Sequence, residues 1–189
     1  MKKELDNMSP EELGLLFPVV ITEYNPGWPL LFKKEKESLE DGPGSGNIVS
    51  IEHIGSTAVP GLPAKPVIDI LIEIDSSDDS IKNYFRTLGY HFIHRPDNPP
   101  PHMMFVKGYT IQGYSGQAYH VHVRYRGDWN EIYFRDYLTR HTETAREYAD
   151  LKYKLAKKYV NDREGYTRDK TKFVEYINAL ARSESQTQT

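Results

Sequence analysis

Glu52-His53-Ile54-Gly55-Ser56-Thr57-Ala58-Val59-Pro60-Gly61-Leu62-Pro63-Ala64-Lys65-Pro66-Val67-Ile68-Asp69-Ile70 is the stretch on which the fold turns. It has the pattern of a strand, a Gly-Ser turn, a loop stiffened by Pro and Gly, and a second strand that carries a carboxylate. Gly55 can adopt backbone angles closed to other residues. Ser56, with Thr57 after it, offers a hydroxyl and backbone N–H groups to an anion such as phosphate. A carboxylate on the neighbouring strand, here Asp69, can hold a metal ion against that phosphate. The pattern points to a nucleotide-binding or nucleotidyl-transfer scaffold.

Outward from this stretch the chain alternates strands and helices. Ser9-Pro10-Glu11-Glu12 is a helix start, with Ser9 as N-cap, Pro10 at N1 and Glu12 at N3. Val19 to Tyr24 reads as a strand. Asn25-Pro26 opens a helix with Trp28, Leu31, Phe32, Glu35 and Leu39 at helical spacing. Asp41 to Asn47 is a turn cluster, and Ile48 to Ile54 and Pro66 to Ile74 are strands. The second is almost continuously apolar, as a strand buried on both faces must be. Ser76 to Leu88 is a helix ending at Gly89, and Tyr90 to Ile93 is a short strand. Arg95 to Pro101 is a proline-rich loop. Met103 to Lys107 and Ala118 to Tyr125 are further strands. From Asp128 the pattern is helical, over about 129–140, 142–160 and 166–182, with a break at Asn161 to Gly165. The reading is one α+β domain over 1–182, with a mixed sheet in 18–127, a helical cap in 128–182 and a disordered tail at 183–189.

Composition narrows the function. The chain has 189 residues, a net charge of −3 and no cysteine. Disulfides, zinc-thiolate sites and thiol nucleophiles are excluded. The charge predicts no general affinity for nucleic acid or an anionic membrane. No apolar run approaches the roughly 18 residues of a membrane span, and Met1-Lys2-Lys3-Glu4 has no apolar region behind it, so no signal peptide is expected. A cytoplasmic protein fits these features. Gly42-Pro43-Gly44-Ser45-Gly46 lacks the lysine and helix of a P-loop and is read as a turn. Trp28 and Trp129 are assigned to the core.

The central stretch resembles the GrpB-like family, related to the nucleotidyltransferase superfamily. The resemblance continues through Tyr24-Asn25-Pro26-Gly27-Trp28, His120-Val121-His122-Val123, Phe134-Arg135-Asp136-Tyr137-Leu138, Tyr148, Lys152 and Tyr166-Thr167-Arg168-Asp169-Lys170. It implies a nucleotidyltransferase-like mixed sheet flanked by helices. In a working nucleotidyltransferase, Gly-Ser is followed by two carboxylates at i and i+2 and a third on a later strand, with two divalent metals between them. Here Asp69 supplies the first, but i+2 is Leu71. Glu73 shares the face of Asp69 at a distance of about 13 Å, too far to share an ion.

His120 and His122 alternate on one strand and so share a face. With Asp69 they offer a two-His, one-carboxylate site for a divalent metal, which His53 could join. The alternative is that the histidines bond to backbone or to Asp69. Tyr148 and Lys152, and Tyr166 and Lys170, are spaced i, i+4 on helix faces. If the cap closes over the Gly-Ser turn, Lys65, Lys152, Lys170 and Arg135 would hold phosphates, with a tyrosine such as Tyr148 stacking a base. Three functions follow: nucleotidyl transfer, non-catalytic binding of a nucleotide or CoA-like ligand, and metal-dependent phosphohydrolysis. The ligand expected in each is a nucleotide or other phosphorylated small molecule, with no organic cofactor.

Overall fold

Five strands, Ile48–Ile54 (β1), Val67–Ile74 (β2), His91–Ile93 (β3), Met103–Thr110 (β4) and Gly113–Tyr125 (β5), build one mixed sheet in the order β1-β2-β5-β4-β3. β2 and β5 run parallel, and every other neighbouring pair is antiparallel. The structure is a computed structural model describing residues 5, 8–42, 45–76, 79–93 and 102–187. The proline-rich loop predicted at Arg95 to Pro101, and part of the turn cluster at Asp41 to Asn47, lie outside the described residues.

Strand alternation gives β2 two different faces. Ile68, Ile70, Ile72 and Ile74 point to one of them and are fully buried. There they pack with Val121 and Val123 of β5, Phe105 of β4, and the helices Trp28–Glu40 (α2) and Asp79–Thr87 (α3) through Trp28, Leu39, Ile81 and Phe85. Each such side chain contributes about 1.5–3 kcal/mol of burial free energy, which makes this layer the main core. The other face, carrying Asp69, Leu71 and Glu73, meets the C-terminal helices Asn130–Arg140 (α4), Thr142–Lys158 (α5) and Arg163–Thr187 (α6). The loop after β1 seats Val59 and Leu62 among Phe134, Leu138, Tyr148 and Ile177 of those helices. A short helix, Pro10–Leu16 (α1), begins with a complete Ser9–Glu12 capping box and leads into Phe17, which packs beside β4 and β5.

The α+β class and the mixed sheet match the sequence reading. Four local readings need correction. Val19 to Tyr24 is not a strand: only Thr22 bridges to Ala64, while the Val19 N–H donates to the Val160 carbonyl. α2 begins at Trp28 with Gly27 as N-cap, because the Asn25 side chain takes the Gly27 N–H and holds a turn before it. The region 183–187 is not a disordered tail. α6 runs to Thr187, and Glu184 accepts hydrogen bonds from Arg140 and His141. Trp129 is half-buried rather than core, lying against Arg124 and His102.

Candidate functional site

Gly55 makes the turn between β1 and the loop at φ +72° and ψ −170°, a region open to glycine alone. A Cβ there would lie 2.5 Å from Asp69 Oδ2, so glycine is also needed for the close approach. Ser56 then opens a single 3-10 turn, Ser56–Ala58, and lines a cleft of about 1210 Å³ between sheet and cap. Asp69, Lys65, His120, His122, Lys152 and Lys170 line the same cleft. The cap therefore does close over the Gly-Ser turn.

Register sets the polar centre. Asp69 pairs with His120 across the parallel β2–β5 ladder, and His120 Nδ1 lies 3.1 Å from Asp69 Oδ1. His120 Nε2 lies 2.7 Å from the hydroxyl of Tyr109, whose ring is stacked on the imidazole. Burial pushes the Asp69 carboxyl up, but the His120 hydrogen bond and the positive fields of His120, His122 and Lys65 outweigh it and hold the group below its ordinary value. Asp69 is thus ionised at neutral pH and accepts from His120 Nδ1–H; with the ring neutral, Nε2 is left to accept from the Tyr109 hydroxyl. His122 stands one alternation further on, opposite Leu71, and burial lowers its pKa to about 4.

Facing this centre are four cations. Lys65 and Lys170 lie on the same Tyr166 ring, at 5.4 and 5.2 Å from its centroid. Burial, with the like charges of Lys170 and Arg163, lowers Lys65 to about 8. Lys152, only 2% exposed, donates to the Pro63 carbonyl and lies over the Tyr148 ring. Burial and the charge of Lys170 lower it to about 7. Arg163, at the first turn of α6, reaches Tyr109 and Phe17. Among the described residues none of the four has a carboxylate within ion-pair distance, although the surface arginines and lysines commonly do.

Several predicted site residues are elsewhere. His53 is on the opposite sheet face from Asp69, because Ile54 and not His53 pairs with it. It stacks on Phe32, contacts the Thr57 hydroxyl at 3.0 Å, and burial lowers it to about 4. The Thr57 hydroxyl also donates to the Val67 carbonyl, so it fixes the loop and is not free for a ligand. Arg135 is engaged by Glu52, Asp136 and the His53 carbonyl, tying α4 to β1. Tyr148 is core, packed edge-on to Phe134 and stacked on Phe173. Tyr109 and Arg163 escaped the sequence reading. The first lies beyond the strand as predicted, and the second falls in the predicted helix break. The Asp162 side chain capping the Gly165 N–H was the available signal for an earlier helix start.

The donor set does not fit a metal held by two imidazoles and a carboxylate. Both nitrogens of His120 already have partners, and among the described residues no three His, Asp or Glu side chains are grouped to hold an ion. Nor does Glu73 replace the missing i+2 carboxylate. It accepts from Ser50, from the Gly127 N–H and from Trp129.

The sequence model of the GrpB protein family matches residues 18–179. A UPF0157 protein of Pseudomonas aeruginosa is 42% identical over 159 residues, covering 81% of this chain. The match spans 63% of that protein's own length. The glutamate-rich protein GrpB of Alkalihalophilus pseudofirmus is 37% identical over 165 residues, covering 84% of this chain and 93% of that one. The crystal structure of the conserved protein GrpB from Enterococcus faecalis superposes with a TM-score of 0.77 at 29% identity, over 88% of this chain and 99% of that one.

Proposed function

The chain belongs to the GrpB family, and from that premise we propose that its cleft binds a nucleotide or similar phosphorylated small molecule, held by side-chain cations. The supporting observation is the cluster of Lys65, Lys152, Lys170 and Arg163, without carboxylate partners among the described residues, across the cleft from Asp69. Like charges in a half-dry cleft repel one another, and an entering polyanion relieves that repulsion. The Ser56 hydroxyl in the cleft lining can add a hydrogen bond to a phosphate oxygen. Phe17, Val67 and Val106 give the same cleft an apolar wall, which suits a base or another flat apolar group.

The geometry favours binding by cations over two-metal nucleotidyl transfer. Leu71 stands where the second carboxylate belongs, and Glu73 is committed to the β5–α4 connection. A metal-dependent phosphohydrolase would need imidazoles that His120 does not have free. Asp69 keeps one oxygen for a hard cation carried in with a phosphate. The protein is taken to act in the cytoplasm, where nucleotides are concentrated. Among the described residues no helix is long and apolar enough to cross a membrane.

A thermal-shift series with nucleoside mono- and triphosphates and inorganic triphosphate, with and without Mg²⁺, tests the reading. A triphosphate at about 100 times its Kd stabilises by about 2.7 kcal/mol, a rise of about 5–10 °C for a chain of this size. The rise is expected without metal and is expected to shrink in Lys65→Ala and in Lys170→Ala. No shift with any phosphorylated compound would sink the proposal. A shift seen only with metal and lost in Asp69→Asn would restore the nucleotidyl-transfer reading.

A further inference from the structure

We propose that Tyr109 is a nucleophile of this cleft, activated by His120 and Asp69, and that it accepts a phosphoryl or nucleotidyl group from a phosphoanhydride such as a nucleoside triphosphate. The inference rests on the phosphate-binding reading above and adds a covalent step to it. An activated nucleophile is recognised by a hydroxyl within hydrogen-bond reach of a base that is itself oriented by a third group. Tyr109, His120 and Asp69 meet that description, with contacts of 2.7 and 3.1 Å. The phenol is at the cleft wall and not in the core behind it.

The backbone is bent to put it there. Side chains alternate along β4, with Met103 and Phe105 in the main core and Val106 on the cleft face. Lys107 returns to the core face, where it pairs with Glu35. Regular alternation would send Tyr109 the same way. Instead the ladder slips between Lys107 and Tyr109, and Gly108 takes φ +87°. A Cβ on Gly108 would lie 2.5 Å from the Gln117 carbonyl oxygen, so only glycine allows the slip. Tyr109 thereby joins Val106, Val67 and Phe17 on the cleft face. Ladder irregularities that re-aim a side chain cluster beside active sites. On that face the hydroxyl meets His120 and the ring packs against Phe17, Tyr114 and the Arg163 guanidinium.

The step balances. The phenol oxygen attacks phosphorus and an O–P bond forms. The bridging P–O bond breaks: attack at the γ-phosphorus sends its electron pair out on the nucleoside diphosphate, and attack at the α-phosphorus sends it out on pyrophosphate. The phenolic proton passes to His120 Nε2, and Asp69 stabilises the resulting imidazolium through Nδ1–H. Arg163 lies beside the Tyr109 ring, its guanidinium carbon 5.8 Å from the ring centroid, and lines the same cleft as Lys65 and Lys170, where phosphate charge would be met.

The test incubates the full chain with each of the four ribonucleoside triphosphates and Mg²⁺, reads intact mass, maps the modified peptide, and records thermal stabilisation in the same samples. The expected result is a single adduct on Tyr109, its mass distinguishing phosphoryl from nucleotidyl. It should be absent from Tyr109→Phe, formed about 100-fold more slowly by His120→Gln, and unchanged in Tyr176→Phe on the exposed face of α6. Peptide mapping of the wild type decides the point even if Tyr109→Phe misfolds. Stabilisation by a triphosphate with no adduct overturns the covalent step and leaves the binding reading standing. Neither stabilisation nor adduct overturns both. An adduct mapped to any other residue overturns the assignment of Tyr109.

Discussion

Lys152 shows how single residues here are held against their own preference. The residue is 2% exposed, and its ammonium meets a carbonyl, an aromatic ring and the repelling charge of Lys170. The folded pKa, about 7, is below the unfolded value of 10.5. Below pH 7 both states carry the proton and folding bears the whole cost of burying it. Between pH 7 and 10.5 the folded state releases the proton while the unfolded state keeps it, so the cost fades as pH rises. Lys152→Met is therefore expected to be more stable than wild type by about 1 kcal/mol at pH 6, allowing for the lost Pro63 contact. The advantage should vanish by pH 10 while phosphate binding weakens, measured as Tm against pH with and without triphosphate. An advantage constant with pH would show that packing and not charge sets the difference. At this scale the sequence exposed Ser56, Asp69 and the lysines through their motifs. It misplaced His53 because the strand's parity is set by Ile54 pairing with Asp69, a fact of register and not of composition. Tyr109 was hidden for a similar reason: only the slip at Gly108 turns it toward the cleft.

The elements are joined by a few polar ties, and one of them is made by Arg135, which the sequence offers as a phosphate ligand. β1 is a sheet edge, and an open edge invites pairing with another chain. Two carbonyls of that strand receive side-chain donors: Lys36 reaches Ile51 and Arg135 reaches His53. Arg135 also pairs with Glu52 and Asp136, so one guanidinium fixes α4 against β1. Arg135→Ala is expected to destabilise by about 1–2 kcal/mol, mainly by leaving the His53 carbonyl without its donor, since Glu52 and Asp136 are half-exposed and can turn to water. The stabilisation gained from triphosphate should not change. A variant that folds normally but loses the triphosphate response would return Arg135 to the binding site. The strands and most helices were legible because their apolar spacing is strong, as in β1 and β2. Val19 to Tyr24 has the same apolar look without a sheet neighbour. Its backbone is divided between Val160 and Ala64, and sequence carries no sign of where backbone partners lie.

At the scale of the molecule, the proposed binding cleft gathers Lys65, Lys152, Arg163 and Lys170 beside the carboxylates of Glu11, Asp69, Asp162 and Glu164, in a chain whose net charge is −3. Its cations come from three distant places in sequence: Lys65 from the loop, Lys152 from α5, and Arg163 and Lys170 from α6. Without these four, the rest of the chain is more acidic still. On the proposed reading an anion is drawn to this recess, and the recess selects it by size as well as by charge. A small polyphosphate can enter between sheet and cap. A duplex presents its phosphates on a rigid outer surface, so on the same reading it is expected not to bring several of them to these lysines at once. The expected outcome is a triphosphate affinity that falls as salt rises from 50 to 500 mM, because part of the attraction is long-range and screened over about 10 Å at 0.1 M. Some affinity should survive, because the innermost contacts are sheltered from ions. Duplex DNA and RNA should show no binding at 150 mM salt in the same titration, read by fluorescence anisotropy. Tight duplex binding with a steep salt slope would mean that the lysines open onto a surface groove and would replace the small-molecule reading with a nucleic-acid one.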